Sequence, residues 1–370
     1  MHALRRGCFL PRLPSMPRLN FATRAALTLA LAWAAALLCT ALHTPLPWMI
    51  GPLLATALCS MTGAPTVSWN VLRNLGQWTM GTALGLYFTP QVARMVGSLW
   101  WAIGLGIVWA LLLGWAFSAW LYRHNAARMP QVPAPQLRAT AYFAGAIGAA
   151  SEMTLLAERE HARTDLVAAS HSLRLVIVTV SIPFALQWLG AQPLPDLMPA
   201  AIRTVQPLGL ALLAGLTLCG VALMQRTGRP NPWFLGALGV SVGLTVADVQ
   251  LSALPVSWVN AAQLVIGVSL GVRFRREFLR AAPQWLGSVA VGTVGLMVVC
   301  AGFAWLLHWA TGLPWVTLVL GTSPGGIAEM AITAKVLQLG VPVVTAFQVC
   351  RLIAVLLLVA PMYRRLYPQH

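Results

Sequence analysis

The sequence predicts an all-α polytopic membrane protein: two homologous inverted repeats, each of about five spanning helices plus a Gly-rich broken or re-entrant helix. Three observations predict it. Of 370 residues, 58% are hydrophobic and 9% charged, with a mean hydropathy of +0.75, the composition of a chain that lives in lipid. A Gly-rich segment ending in Glu-Met occurs twice, at Ala144 to Met153 and Gly321 to Met330, and the two align without gaps at a shift of 177. The basic residues sort to one side of a membrane only when the second repeat is inverted.

In chain order, residues 1–20 form a basic, Pro-rich segment with Arg5, Arg6, Arg12 and Arg18. It resembles the start of a signal peptide, but the apolar run Phe21–Leu42 is too long for one and has a counterpart, Pro207–Met224, in mid-chain. It is therefore read as a retained cytoplasmic segment, with Met16 an equal candidate for the start. Repeat 1 occupies 21–190, a linker 191–206, repeat 2 207–366 and a tail 367–370.

Pro47-Trp-Met-Ile-Gly opens a short apolar segment to about Thr62, matched at a shift of 185 by Pro232-Trp-Phe-Leu-Gly. Proline suits the first turn of a helix, so both are helix starts. Asn74, Gln77, Gly81, Leu84, Gly85 and Phe88 recur 186 positions later as Asn260, Gln263, Gly267, Leu270, Gly271 and Phe274, each set on one helical face. Small residues and amides on one face make a seam between membrane helices or the lining of a solute path. Met95–Tyr122 is read as one long Trp-rich span, followed by the basic loop Arg123–Arg138, the first Gly-rich segment, and a span containing Arg174. Repeat 2 ends in the same way, with Pro283–Trp309, the second Gly-rich segment, and a span containing Arg351. Three blocks aligning in order mean an internal duplication.

The net charge of +16 first suggests nucleic acid, but topology accounts for it. If all six segments of each repeat cross, Lys and Arg divide 12 inside against 10 outside. If each Gly-rich segment enters and leaves on one side, each repeat crosses five times, the second is inverted, and the division becomes 19 against 3. The positive-inside rule selects the second. Inverted repeats that meet at broken helices are the architecture of secondary transporters, with the site near the midplane.

Cys8, Cys39, Cys59, Cys219, Cys300 and Cys350 are far apart and read as small core residues, and the seven histidines are scattered. No spacing suggests a metal or another cofactor. Trp residues near span ends read as interfacial anchors.

The Pro-Trp helix start, the Ser-Glu-Met or Gly-Gly-Ile-Ala-Glu-Met segment and the downstream arginine, all duplicated, resemble the bacterial AbrB family of membrane proteins over about 20–365. That family shares its name with a small soluble DNA-binding regulator and is similar to cation-proton antiporters and anion symporters. The resemblance implies a bacterial inner-membrane protein, multi-pass, with a cytoplasmic N-terminus. Family members also carry labels of ammonia monooxygenase and of regulation of gene expression. Repeat 1 departs from the pattern, with Gly148-Ala149 where repeat 2 has Gly325-Gly326, which suggests a less sharply broken hairpin.

The expected function is ion- or proton-coupled secondary transport of a small solute at the repeat interface. Glu152 and Glu329 would face each other across the pseudo-two-fold axis and bind the coupling cation or proton. Hydroxyls of Ser151, Thr322 and Ser323 and freed backbone at Gly148, Gly325 and Gly326 would hold substrate. Arg174 and Arg351 would either receive an anionic group or pair with Glu152 and Glu329 as fixed salt bridges. Asn74, Gln77, Asn260 and Gln263 would line the path, and His171, which faces Gln348 in the alignment, reads as packing. The expected partners are the lipid bilayer and a small-molecule or ion substrate, with no nucleic acid and a homodimer left open. No nucleophile-base pair or metal cluster supports an enzyme, and no segment is long enough for a regulatory output domain.

Overall fold

The computed structural model describes residues 20–194, 204–228, 231–274 and 282–367. Among them the chain is helical, without strands. The first repeat holds α1 (Phe21–Ala41), α2 (Pro47–Thr62), α3 (Asn70–Gly85), α4 (Pro90–Ser98), α5 (Trp100–Ala126), α6 (Ala134–Gly145), α7 (Ala150–Arg159) and α8 (Thr164–Trp188). The second holds α9 (Pro207–Arg226), α10 (Pro232–Val246), α11 (Val256–Gly271), α12 (Pro283–Thr311), α13 (Trp315–Thr322), α14 (Ile327–Val336) and α15 (Val341–Leu366). Arg5, Arg6, Cys8, Arg12, Arg18, Arg203, Arg229, Arg275, Arg276 and Arg280, the choice between Met1 and Met16, and most of the linker and tail lie outside the described residues.

Six helices, α1, α5, α8, α9, α12 and α15, are long and apolar enough to cross a membrane. The chain is a multi-pass membrane protein on that ground. Helices α2, α3, α10 and α11 have 15 or 16 residues, roughly 24 Å at most, and they pack at the centre. There α2 lies along α11 and α3 along α10. At both pairings glycine lets backbones approach. A Cβ on Gly81 would overlap the Phe234 carbonyl and reach Leu238, and one on Gly85 would overlap Ser241. Gly267 stands in the same relation to Met49 and Leu53, and Gly271 to Thr56. These neighbours correspond to one another at the shift of 185, so the two seams are reciprocal. The Gly-xxx-Gly face is thus a packing seam.

Hydrogen bonds place the helix ends. Arg24 Nε donates to the Pro65 carbonyl (2.9 Å), Gln136 Nε2 to that of His161 (3.1 Å), and the Arg163 amide to Thr140 Oγ1 (3.0 Å). Trp285 Nε1 donates to Ser170 Oγ (2.8 Å), Ser288 Oγ to Asn125 Oδ1 (3.2 Å), and Arg364 pairs with Glu160 at 3.0 Å. One end of the bundle therefore gathers the start of α1, both ends of the α6–α7 hairpin, the end of α5, the starts of α8 and α12, and the end of α15. The opposite end gathers the turn after α1, the end of α8 and the turn before α15, through Gln187 Nε2 to His43 O (3.3 Å) and Leu194 N to Gln338 O (2.9 Å). Hairpin α6–α7 enters and leaves at the first end. Hairpin α13–α14, joined to the far end of α12 and the near end of α15, enters and leaves at the second.

Two expectations change. Met95–Tyr122 is not one span: α4 stops at Ser98 and α5 begins at Trp100, with Leu99 between them outside helical geometry (φ −91°, ψ 12°). Thr89 accepts from the Val92 amide and Pro90 takes the first turn, so a short helix carrying Gln91 and Arg94 forms by itself before the apolar α5 starts. Of the five described cysteines, all free, only Cys300 is buried. The others stand on partly or fully exposed helix faces, because a small apolar side chain is as well placed against lipid as in a core.

Candidate functional site

Both Gly-rich segments break a helix. Helix α6 stops at Gly145 and α7 starts at Ala150; α13 stops at Thr322 and α14 starts at Ile327. The two breaks meet a single cavity of about 440 Å³. Its walls are completed by the start of α3 (Arg73, Asn74, Gln77), the start of α10 (Asn231 to Phe234), the end of α11 (Ile266 to Arg273), and Arg174 and Arg351.

A broken helix leaves carbonyls without partners inside lipid, and each must be satisfied. The two arginines do this. Arg174 Nη1 donates to the carbonyls of Ala144 (3.2 Å) and Gly145 (3.4 Å), and Nη2 to that of Ala146 (2.8 Å). Arg351 donates through Nη1 to the Ser323 carbonyl and through Nη2 to that of Gly325 (2.8 Å). A guanidinium at the carbonyl end of a half-helix also meets the negative end of its dipole. The alternative in which Glu152 and Glu329 form salt bridges with these arginines does not occur.

Nor is His171 mere packing. Guanidinium carries donors only, so Nδ1 of His171 accepts from Arg174 Nη2 (2.7 Å) and its Nε2 donates to the Phe143 carbonyl (2.9 Å). Gln348 repeats this with an amide: Oε1 accepts from Arg351 Nη2 (2.6 Å) and Nε2 donates to the Leu320 carbonyl (2.7 Å). Residues 143 and 320 are equivalent at the shift of 177, as are 171 and 348. Imidazole and carboxamide are interchangeable here because each offers one acceptor and one donor on opposite edges.

The two glutamates differ. Glu329 is buried (7% exposed), lines the cavity, and folds back along the first turn of α14, so that a Cβ on Gly326 would overlap its carboxyl group. Gly326 is the N-cap of α14, and the carboxyl of Glu329, three residues on, lies back against it at the positive end of the helix. In repeat 1 the N-cap is Ala149, which carries a methyl group at the equivalent of the place that a Cβ on Gly326 would take. Glu152 is half-buried and is not among the lining residues. The departure at Ala149 therefore sets where the carboxyl goes. Of the two acids, only Glu329 lines the cavity.

Asn74, Gln77, Gly148, Ser151, Arg174, Gly325, Gly326, Glu329 and Arg351 line the cavity. Thr322 and Ser323 do not; their hydroxyls donate to the Leu318 and Leu320 carbonyls of their own helix. Asn260 and Gln263 are absent from the lining too. They sit at the start of α11, toward the other end of the bundle, where the places equivalent to the cavity walls are filled by Leu46, Met49, Met80, Leu84 and Val259. Arg73, Asn231, Trp233 and Arg273 are lining residues that the sequence did not single out. Their adjacency to Asn74, to the Pro-Trp start and to the end of α11 was the available signal.

The AbrB family profile, described as "Transition state regulatory protein AbrB", matches residues 48–367. "Uncharacterized protein YhjN" of Bacillus subtilis (strain 168) is 26% identical over 355 residues, covering 87% of this chain and 88% of that protein. "Putative regulator AbrB" of Escherichia coli (strain K12) is 26% identical over 325 residues, covering 86% and 89%.

Proposed function

The chain belongs to the AbrB family, and on that premise we propose that it is an ion- or proton-coupled secondary transporter of a small solute, with its site at the interface of two inverted repeats. The observation that carries the reading is the cavity between the two helix breaks, walled by polar groups toward one end of the bundle and replaced by packed apolar side chains toward the other. A transporter captured with access from one side has this asymmetry. Exchanging the conformations of the two repeats would close Asn74 and Gln77 and expose Asn260 and Gln263, which is alternating access by symmetry.

The opposite entry ends of the two hairpins support inversion. So does charge: Arg24, Arg73, Arg123, Arg128, Arg138, Arg159, Arg163, Arg226, Arg273, Arg364 and Arg365 fall at the first end of the bundle, whereas Arg94 and Lys335 fall at the second. By the positive-inside rule the first end is cytoplasmic, which puts the N-terminus and the accessible side of the cavity in the cytoplasm of a bacterium, at its inner membrane. Glu329 is the coupling group, since its carboxyl sits in the cavity wall. The reading assigns the chain no catalytic step and no cofactor. The regulatory wording attached to the family and to the E. coli relative follows indirectly, through the internal level of the transported solute.

The test is solute-dependent proton movement into proteoliposomes that enclose a pH-sensitive dye. A panel of small solutes should contain at least one that moves protons with the wild type and not with Glu329→Gln. Equal flux in both would remove Glu329 from the coupling role.

A further inference from the structure

Arg73, Arg174, Arg273 and Arg351 line the cavity, and Glu329 is the one carboxyl among its lining residues. The carbonyls hold much of the donor capacity of Arg174 and Arg351, but Nε of Arg351 is buried without a hydrogen-bond partner, as is Nε of Arg73. Arg351 is only 6% exposed, and a buried donor left unpaired is expensive. The first turn of α7 adds more donors. Ala149, Ala150 and Ser151 line the cavity, and no side chain caps that helix end. Its first amides have no partner within the helix and lie at the positive end of the dipole.

The equivalent end of α14 shows what such a place accepts. There the carboxyl of Glu329 sits against the N-cap, in space available because residue 326 is glycine. Ala149 denies Glu152 the same position. One of two equivalent helix ends thus carries an acid from its own chain, and the other, uncapped by any side chain, borders the cavity.

We propose that the cavity binds a small oxyanion, a carboxylate or a phosphate, with its acidic oxygens on the amide end of α7 and Arg351 and Arg73 as further donors. This names the substrate class for the transport reading above and rests on it for its physiological meaning. The carboxyl of Glu329 is the intramolecular equivalent of the ligand.

The test uses the full-length protein in detergent at constant chloride, with acetate, succinate and inorganic phosphate as probes and methylammonium and glycerol as comparators. Thermal unfolding gives the affinity, since a ligand of the folded state stabilises it by RT ln(1 + [L]/Kd), so the midpoint starts to rise near Kd and then climbs with the logarithm of concentration. At least one anion should raise it in this way, and neither comparator should. Arg73→Gln should weaken that anion at least tenfold. Ala149→Gly, which keeps a good N-cap residue, should also weaken it at least tenfold by letting Glu152 fold onto α7, and adding Glu152→Gln should restore binding. No anion that raises the midpoint with this concentration dependence, an equal response to methylammonium or glycerol, or an unchanged affinity in Ala149→Gly would each overturn the proposal. Counterflow of the same probes in proteoliposomes separates the two readings. Anion binding without counterflow supports the anion site and removes the transport role, whereas counterflow of methylammonium alone keeps transport and removes the anion class.

Discussion

Replacing Gly326 by alanine puts a methyl group where the Glu329 carboxyl lies. The N-cap backbone cannot retreat, because the Met330 amide donates to the Gly326 carbonyl at 3.1 Å and the preceding carbonyl, Gly325, is held by Arg351 at 2.8 Å. The side chain must leave instead. It loses its place at the positive end of the helix dipole, about 0.3–1 kcal/mol. That corresponds to a midpoint lowered by a few degrees at most, at about 2–4 °C per kcal/mol for chains of 150–250 residues and less for a larger one. The decisive assay is a double-mutant cycle in detergent by thermal unfolding. With Glu329→Ala already present, Gly326→Ala has no carboxyl to displace, and the two losses should be non-additive by about 0.3–1 kcal/mol. Strict additivity would mean that the glycine serves the backbone alone and that Ala149 does not explain the different position of Glu152.

Other expectations follow from the same contacts. Arg351→Ala and Arg174→Ala strand two or three buried carbonyls each and should cost about 3–5 kcal/mol, read as loss of folded protein by size-exclusion chromatography, with Lys variants intermediate. His171→Gln should keep most of the midpoint because Gln348 makes the same bonds in repeat 2, whereas His171→Leu should lower it by several degrees. Gly81→Val and Gly267→Val should each destabilise strongly and to similar extent, since each forces a backbone carbonyl of the opposite repeat aside; a large difference would contradict the reciprocity of the seams. Cysteines at Ala162 and at Gln192, on a background without native cysteines, should react with an impermeant thiol reagent from opposite faces of the membrane.

The duplication made much of this legible. Equal spacing found the two breaks, the seam glycines and the arginines, because a repeat conserves the positions where backbone must approach or be satisfied. It also misled, since symmetry in sequence suggested symmetry in conformation. Asn260 and Gln263 match Asn74 and Gln77 in type and spacing but stand at the end where apolar side chains are packed together, outside the cavity lining. Glu152 was paired with Glu329 for the same reason, and a single methyl group at Ala149 separates them. The salt bridges of Arg174 and Arg351 to the two glutamates do not form, because the strongest local demand on their donors comes from the unpaired carbonyls of the helix breaks. His171 was discounted because its counterpart is glutamine, a difference in name that conceals one hydrogen-bonding pattern.

The most direct test of a site exposed alternately to the two sides is the reactivity of Ser151→Cys, in the cavity wall. In oriented proteoliposomes, on the cysteine-free background, an impermeant thiol reagent should modify it from both faces, while Ala162→Cys reacts from one face and Gln192→Cys from the other. Modification of Ser151→Cys from the Ala162 face alone, with solute and proton gradients applied in either direction, would contradict alternating access and leave the cavity a one-sided pocket.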